Sequence, residues 1–164
     1  MNPLQWWRKN KQMGLHLRNA DPHDTVGLMV IDAKSYDKSW LMDDWRAVAQ
    51  NNQQNVICIT DNSKPIAFAA YEIDGPQLKI IRLAVLPTKR RQGLGRSMLI
   101  WFARLMHDKR MKRATCIVPI TNTVACNFLK SCGFKVPSKG GIVTEAFDDC
   151  GVPVEGLYFI KDNE

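Results

Sequence analysis

Residues 83–99, LAVLPTKRRQGLGRSML, constrain the fold of this 164-residue chain more than any other stretch. An apolar run ends at Pro87, a basic turn follows, and Gly93 and Gly95 open a segment whose apolar residues have helical spacing. This order predicts a strand, a turn without bulky side chains and the first turn of a helix. Free backbone N–H groups and the positive end of the helix dipole meet at such a turn, so the stretch predicts a site for a phosphorylated ligand.

The residues expected to hold the phosphate groups follow one another along this turn. They are Arg90, Arg91, Gln92, Gly93, Leu94, Gly95, Arg96 and Ser97. The backbone N–H groups of residues 91–96 supply the donors, and the two glycines let phosphate oxygens approach the backbone closely. The arginine side chains add positive charge beside the site.

The composition is that of one ordinary globular domain. Hydrophobic residues make up 45% of the chain and charged residues 24%, which is close to average usage. No apolar run is long enough to span a bilayer, and the first residues lack the pattern of a secretory signal. We therefore expect a cytoplasmic protein without a membrane segment, in which residues 1–13 form a tail and residues 14–164 form the domain.

The net charge of +7 leaves nucleic acid and phosphorylated small ligands open as partners. The basic residues are spread along the chain, and their densest cluster, residues 89–96, falls in the predicted phosphate site. A phosphorylated ligand is therefore favoured over nucleic acid. Trp6 and Trp7 in the tail fit either docking onto the domain or assembly, so a monomer and a homodimer both stay open.

The cysteines indicate a reducing compartment. They are Cys58, Cys116, Cys126, Cys132 and Cys150. Their number is odd, and no two of them have the spacing of a zinc site or a redox pair. We therefore expect free thiols and no metal site.

Apolar runs and turn signals predict seven strands. They cover residues 15–20, 55–60, 66–73, 77–85, 114–118, 142–147 and 154–160. Asp74-Gly75 marks a hairpin turn, so the second to fourth strands form an antiparallel meander. A helix separates the fourth strand from the fifth, which makes these two strands parallel. The predicted fold class is therefore α/β with a mixed sheet.

Capping residues and helical spacing predict four helices. The first starts at Asp21-Pro22, where a capping residue precedes proline at the first helical position. The second covers about residues 40–50, the third starts at Gly93 and the fourth starts at Asn122. The residues expected on the inner faces of the second and fourth helices are Leu41, Trp45, Val48 and Ala49, and Val124, Ala125, Phe128, Leu129 and Cys132.

Tyr36 and Trp40 fall in the predicted loop between the first two helices. Aromatic side chains there fit two interpretations, packing against the domain or forming the wall of a substrate groove, because loops often carry recognition. The sequence alone leaves both interpretations open.

Two motifs make the chain resemble the GNAT superfamily of acetyl-coenzyme A-dependent N-acetyltransferases over about residues 15–160. The first motif, R-x-x-G-x-G, is formed by Arg90, Gly93 and Gly95. The second, N-x-x-A-x-x-F-L-x-x-x-G-F, is formed by Asn122, Ala125, Phe128, Leu129, Gly133 and Phe134. Within this superfamily the chain is most similar to the ribosomal-protein alanine N-acetyltransferases, because Trp40 follows an aromatic loop and residues 91–95 read RQGLG.

The resemblance implies the GNAT fold, a central mixed sheet of about seven strands flanked by about four helices, with acetyl-CoA as cosubstrate. It also implies that the backbone of Leu83, Ala84 and Val85 pairs with the pantetheine arm of CoA like an added strand. Asn122 is expected to hydrogen-bond that arm, and Phe128 is expected at the same site. Asparagine is equally suited to cap a helix, so both roles stay open for Asn122.

The activity implied is transfer of an acetyl group to the amine of a protein N-terminus or a small molecule, by direct attack. The family's usual tyrosine acid falls on Leu129 here, and the glutamate base of relatives that act on ribosomal proteins falls on Ile117. Neither side chain transfers protons, so no catalytic residue is assigned. An α-amino group, with a pKa of about 8 against about 10.4 for lysine, needs little help to lose its proton.

Three interpretations of the missing catalytic pair stay open. In the first, the enzyme relies on positioning, a backbone donor near Val85 and proton loss through water. In the second, another residue serves, with Tyr158 as the first candidate before Tyr71, Glu72 and Cys126. In the third, the domain binds CoA as a sensor or interaction module without turnover.

An acidic run at residues 145–149 lies near the place where the resemblance puts the acceptor. It fits either attraction of a cationic substrate or an ordinary solvated turn. The binding partners expected for the chain are therefore acetyl-CoA and an amine acceptor, with no membrane, and nucleic acid is the disfavoured alternative.

Overall fold

The computed structural model describes Arg8 and residues 14–51, 54–147 and 153–163. The tail predicted for residues 1–13, with Trp6 and Trp7, lies outside the described residues apart from Arg8. Residues 148–149 of the acidic run and Cys150 lie outside them as well. Among the described helices, none is both long and apolar enough to cross a membrane.

A seven-stranded mixed sheet forms the centre of the fold. Its strands are β1 (Leu15–Asn19), β2 (Gln54–Asp61), β3 (Lys64–Asp74), β4 (Gln77–Val85), β5 (Arg113–Pro119), β6 (Ile142–Phe147) and β7 (Pro153–Asp162). They lie in the order β1-β2-β3-β4-β5-β7-β6. β4 and β5 are parallel, and the other neighbouring pairs are antiparallel. The predicted strands and the mixed sheet are confirmed, with β7 placed between β5 and β6.

Four α-helices cover the two faces of the sheet within the described residues. They are α1 (Thr25–Ser35), α2 (Met42–Gln50), α3 (Leu94–Asp108) and α4 (Thr123–Ser131), and short 3-10 helices cover Pro22–Asp24 and Pro87–Lys89. Buried side chains of α1 and α2 form one core cluster with Phe68 and Ala84. Those of α3 and α4 form a second cluster with Ala67 and Ala69. Because alternate residues of a strand face opposite sides of the sheet, α1 and α2 lie on one face and α3 and α4 on the other.

The chain enters α1 through a cap that ties it to the edge strand β1. Asp21 accepts a hydrogen bond from the N–H of His23, and Asp24 accepts one from the N–H of Asp21. These bonds form a capping box around the 3-10 turn. Arg18 on β1 donates two hydrogen bonds of 2.6 and 2.9 Å to the buried Asp24. The helix start predicted at Asp21-Pro22 is confirmed, with one 3-10 turn before α1 begins.

α3 fills the core on its side of the sheet. Met98 and Phe102 are 0% and 2% exposed, and full burial of each side chain contributes about 1.5–3 kcal/mol. Gly93 precedes the helix with a φ of 82°, a left-handed conformation that glycine adopts without steric cost. The strand, turn and helix predicted around Gly93 are confirmed.

The inner faces predicted for α2 and α4 are wrong at three positions. Leu41 and Val124 are 70% and 77% exposed, and Ala49 is exposed as well. On α4, Cys126 is not among the residues expected on the inner face, yet it is buried. Each of these helices has nine residues, about two and a half turns. So short a segment does not fix by apolar spacing which face is buried.

Candidate active site

A gap opens in the middle of the sheet between its two parallel strands. β4 and β5 pair over four register positions that end at Ile80↔Cys116. Beyond this pair β4 continues to Val85 and β5 continues to Pro119. The register of β4 against β3 shifts at the same place and leaves Ile81 without a partner in β3. An extra residue of this kind bends a strand, so Ile81 marks the point where β4 leaves β5.

The edge of β4 that faces the gap presents backbone groups. Leu86 donates its N–H to β3. Since successive residues of a strand direct their N–H and C=O groups to opposite edges, Val85 and Leu83 face the gap. Their carbonyls accept hydrogen bonds from outside the sheet, from Tyr36 Oη to Leu83 at 2.8 Å and from Arg90 Nε to Val85 at 3.0 Å.

The sequence predicts that the backbone of three residues of β4 pairs with a ligand, but the backbone groups of these residues do not all face the gap. Ala84 lies between Leu83 and Val85, so its backbone groups point to β3, where Ala84 pairs with Phe68. Leu83 and Val85 are therefore the two of the three at which an extended ligand can add to the sheet edge.

A cavity of about 630 Å³ fills the gap. Its walls are the loop between α1 and α2, the parted ends of β4 and β5, and the first turns of α4. This volume lies in the range of small-molecule and cofactor sites. Ligands of α/β proteins commonly bind at the carboxyl ends of parallel strands, which is where these two strands part.

The turn before α3 keeps its backbone N–H groups available for an anion. Arg91 and Gly93 have φ angles of 64° and 82°, which turn the backbone around the start of the helix. No side chain caps this helix, so the N–H groups of residues 94–96 have no acceptor within it. Ser97 differs, because its N–H and its Oγ both donate to Gly93 O, at 3.0 and 2.9 Å.

The side chains of the turn are mostly directed to solvent. Those exposed are Arg90, Arg91, Gln92 and Arg96. Arg90 is tied to the end of β4, and Arg96 contacts Ser131 Oγ of α4 at 3.5 Å. Leu94 is 2% exposed and belongs to the core, so only its backbone can serve a ligand. The residues predicted for phosphate binding thus lie together in one turn. Ser97 is hydrogen-bonded within the helix and the Leu94 side chain is buried in the core, so neither side chain is available to a ligand.

Gly95 brings the two sequence motifs into contact. A Cβ atom at Gly95 would lie 3.1 Å from Cζ of Phe128 on α4, closer than the optimal separation of two carbon atoms. The sequence explains this glycine by the approach of phosphate. The structure adds a second reason, which is that the ring of Phe128 occupies the space of the missing side chain.

Of the two roles left open for Asn122, the structure shows the helix cap, and the hydrogen bond to the pantetheine arm stays a prediction. Its Oδ1 accepts a hydrogen bond of 3.1 Å from the N–H of Ala125, which caps α4. The residue also lines the cavity. Its Nδ2 donates to no other described residue, so this amide group is available to a ligand in the gap. The predicted cap is confirmed.

An ion pair and two aromatic rings form the cavity wall beside β4. Asp32 of α1 is completely buried, and its Oδ1 lies 2.6 Å from Nε of Arg82 on β4. Its other oxygen accepts the N–H of Trp40. The guanidinium of Arg82 lies 4.0 Å from the ring centroid of Tyr36 and 5.1 Å from that of Trp40, within cation–π range. We name these four residues the Arg82 cluster.

The Arg82 cluster is coupled to the gap through Tyr36. Burial raises the pKa of Tyr36 to about 12, so its phenol stays protonated and donates to Leu83 O. Burial also raises the pKa of Asp32, while Arg82 and the Trp40 N–H act in the opposite direction. Packing of the aromatic loop against the domain is confirmed for Tyr36 and Trp40. Both residues also line the cavity, and their role as the wall of a substrate groove stays a prediction.

The two positions where relatives carry catalytic side chains are apolar and lie at the cavity. Ile117 and Leu129 both line it. Tyr158, the first candidate for a replacement, pairs with Ile117 across β5 and β7, so the two side chains share one face of the sheet. Tyr158 itself is not among the residues that line the cavity.

The remaining candidates belong to other parts of the fold. Cys126 is buried, and burial raises the pKa of its thiol, which disfavours the nucleophilic thiolate. Tyr71 is in the α3 core with its ring against Trp101 and Phe102. Glu72 follows it on β3 and does not line the cavity. Within the described ranges, no group of three or more His, Cys, Asp or Glu residues could hold a metal ion.

Sequence reasoning missed Asp32 and Arg82. A signal for them exists, because Arg82 interrupts the apolar part of QLKIIRLAV and Asp32 follows the apolar pair Val30-Ile31. A charged residue inside a buried strand rarely stands without a partner of opposite charge. The pattern does not reveal which residue is that partner, since the two are far apart in the chain.

Residues 25–134 match the acetyltransferase (GNAT) family. The match runs from the first residue of α1 to Phe134 and includes both motifs and the parted strands. The chain therefore belongs to the GNAT family of N-acetyltransferases. No curated protein matches its sequence.

Solved structures of acetyltransferases share the fold. Ribosomal-protein-S18-alanine N-acetyltransferase from Escherichia coli has a TM-score of 0.80 and 18% identity, with 92% of this chain and 94% of that chain covered. PaiA N-acetyltransferase from Thermoplasma acidophilum, in complex with coenzyme A, has a TM-score of 0.70 and 16% identity over 92% and 99% of the two chains. Spermidine/spermine N-acetyltransferase SpeG from Vibrio cholerae has a TM-score of 0.70 and 17% identity over 92% and 93%. The predicted similarity to the ribosomal-protein branch is confirmed at the level of the fold.

Proposed function

We propose that the protein transfers the acetyl group of acetyl-CoA to an amine, at a protein N-terminus or on a small molecule. The gap between β4 and β5 carries this proposal, because it joins an open strand edge to a cavity. Phe128 in the cavity wall lies against Gly95 at the uncapped start of α3. An extended pantetheine arm suits the strand edge, and a pyrophosphate suits the helix start. Membership of the GNAT family supports the same cosubstrate.

The residues proposed to hold acetyl-CoA divide by their chemistry. The backbone N–H groups of residues 91–96 face the phosphates, with the arginines of the turn adding charge. Backbone groups of Leu83 and Val85 and the Nδ2 of Asn122 face the arm, and the ring of Phe128 closes the site between the two motifs. Bound in this way, acetyl-CoA supplies an activated thioester.

The acceptor amine is proposed to attack this thioester directly. A carbon–nitrogen bond forms, the carbon–sulfur bond breaks, the amine loses a proton and the thiolate gains one. The N–H of Val85 faces the gap and is proposed to stabilise the oxyanion. Because Ile117 and Leu129 carry no proton donor or acceptor, these protons pass through water, which favours an amine with a pKa of about 8, such as an α-amino group.

Calorimetry with acetyl-CoA and a thiol-release assay test the proposal. Gly95→Asp should reduce acetyl-CoA affinity at least tenfold, because the new side chain meets the ring of Phe128 and brings negative charge to the helix start. Gly75→Asp is the matched control. A side chain there meets nothing within 4 Å, aspartate is one of the residues that tolerate a left-handed φ such as the 54° of this position, and the residue lies at the opposite end of β4. Equal affinity in both variants would show that the phosphates bind elsewhere.

A second function is favoured by the apolar residues at Ile117 and Leu129. A domain that binds CoA without turnover, as a sensor or interaction module, needs no proton transfer at these positions. Acetyl-CoA binding without thiol release, across peptides and small amines, would support this function and exclude the enzyme. Absence of binding would exclude both.

The proposal also includes a cytoplasmic location, one domain and a monomeric or homodimeric state. The described cysteines are free thiols, which suits a reducing compartment and supports a cytoplasmic location. One domain over residues 14–164 and a monomer or homodimer stay predictions, which limited proteolysis and sedimentation test.

A further inference from the structure

The charge around the Arg82 cluster indicates which amines the cavity accepts, provided that the proposed acetyl transfer holds. Four charged side chains line the cavity, namely Lys38, Lys79, Arg82 and Asp44. Three of them are cationic. The one carboxylate, Asp44, accepts the N–H of Leu41 at the start of α2, where the helix dipole already stabilises it.

The cations lie on the α1 and α2 face of the sheet. Arg82 contacts Asp32 of α1. Its Nη2 donates to the carbonyl of Lys38 at 2.8 Å, which fixes the backbone of Lys38 beside the guanidinium. Lys79 precedes Ile80, whose side chain belongs to the core under α3, so Lys79 faces the opposite side of β4. The helix start proposed for the phosphates belongs to α3, on the other face, so these cations do not belong to that phosphate site.

The lysines are available for a separate anion. Lys38 and Lys79 are exposed. Within the described residues neither is in an ion pair, although Glu72 on β3 is the register partner of Lys79 and shares its face of the sheet. Arg82 is held differently, because Asp32 fixes its Nε and the rings of Tyr36 and Trp40 fix its plane. Its Nη1 donates to no described residue. A guanidinium held in place with one nitrogen free, in a cavity that two exposed lysines also line, suits a carboxylate.

We propose that the cavity selects acceptors in which the amine carries a carboxylate close to it. Two sources share this chemistry, a protein N-terminus that begins with an acidic residue and a free amino acid. The carboxylate binds at Arg82 between Lys38 and Lys79, which leaves the amine directed to the gap. Polyamines are disfavoured, because their additional ammonium groups meet the same cations.

Matched acceptors test this selection on the intact protein with acetyl-CoA. Peptides that begin with glutamate are compared with peptides of the same sequence that begin with glutamine. Free glutamate and spermidine form separate arms. We expect kcat/KM for the glutamate peptide or for free glutamate to exceed that for the glutamine peptide and spermidine at least tenfold, and the larger of the two values identifies the source. Equal or higher kcat/KM for the glutamine peptide or spermidine would overturn the proposal.

Variants of the exposed lysines separate charge from folding. Lys38→Gln and Lys79→Gln should each lower kcat/KM for the acidic acceptor about two- to fivefold, the range of exposed charge pairs. The neutral peptide should change less than twofold. Lys109→Gln is the control, since Lys109 is an exposed lysine at the end of α3, outside the cavity lining. Equal losses for acidic and neutral acceptors would refute recognition of the carboxylate.

A binding measurement distinguishes failure of this inference from failure of the proposed function. Calorimetry with CoA present compares the N-acetylated glutamate peptide with its glutamine counterpart. If the acidic product binds more tightly and Lys79→Gln reduces this binding, the inference is supported. This holds even if no acceptor is turned over, and in that case only the proposed acetyl transfer fails. Equal binding of the two products overturns the inference while leaving acetyl transfer untouched.

Discussion

Removal of Arg82 should destabilise the protein more than removal of its partner. Arg82→Ala leaves the carboxylate of Asp32 completely buried without its cation, and breaking a buried pair in this way costs about 3–5 kcal/mol. Asp32→Ala leaves a guanidinium whose side chain is 14% exposed and borders the cavity, where it can reach water. We expect this second variant to cost about 2–3 kcal/mol, part of which is the lost acceptor of the Trp40 N–H.

The pH dependence gives the two variants different signatures. Burial already raises the pKa of Asp32, and Arg82→Ala removes a group that opposes the rise. A carboxyl whose pKa is raised in the folded state contributes stability below its unfolded value, about 3.9, and that stability is lost as the pH rises through the folded pKa. Arg82→Ala should therefore regain stability as the pH falls from 7 toward 4. Asp32→Ala lacks the carboxyl and should show no such recovery.

Urea unfolding followed by tryptophan fluorescence measures these free energies at several pH values. The double variant Asp32→Leu with Arg82→Met removes both charges and should recover more than half of the larger single loss. Arg46→Ala is the control, because its ion pair with Asp43 is exposed, and it should change the free energy of unfolding by less than about 1 kcal/mol. A loss below about 1 kcal/mol for Arg82→Ala, or a loss that grows toward pH 4, would refute the assignment of a buried ion pair.

Three further predictions concern groups outside this pair. Tyr36→Phe removes the 2.8 Å hydrogen bond to Leu83 O and should lower the free energy of unfolding by about 1 kcal/mol, measured by urea unfolding; no change would show that water replaces the bond. The hydrogen bond from Arg18 on β1 lowers the pKa of Asp24 in the folded state. The stabilisation that Asp24 provides is therefore present above about pH 3.9 and is lost as the pH falls through its folded pKa. Asp24→Asn should therefore flatten the acid end of the pH–stability curve, and an unchanged curve would contradict this. Cys58 is completely buried, and burial raises its pKa to about 11, so iodoacetamide at pH 8 should label it only after unfolding, as peptide mass spectrometry can show.

Local patterns predicted most of the fold because the signals they use are local. The end of β4, the glycine turn and the start of α3 follow one another in the chain, so the sequence determines their contact directly. Asn122 caps α4 as its residue type indicates. The parallel pairing of β4 and β5 follows from the helix between them.

Features that depend on distant contacts were not predictable in this way. The pair of Asp32 and Arg82 joins a helix to a strand, and neither hydrophobic period nor capping signals link them. Gly95 has an evident local explanation, while its contact with Phe128 depends on how α3 and α4 meet. Val124 and Cys126 face nearly opposite sides of α4, and the buried side of this helix is centred closer to Cys126 than its apolar spacing indicates.

The position of the gap within the sheet has a consequence for solubility. An outer strand with free backbone groups invites pairing with another chain and hence aggregation. In this protein, the N–H groups of Leu83 and Val85 that face the gap lie between two interior strands, with helices above and below. A single extended molecule can enter this slot, whereas a foreign sheet cannot stack against it. The fold thus offers strand-like recognition to a small ligand without the aggregation risk of an open edge.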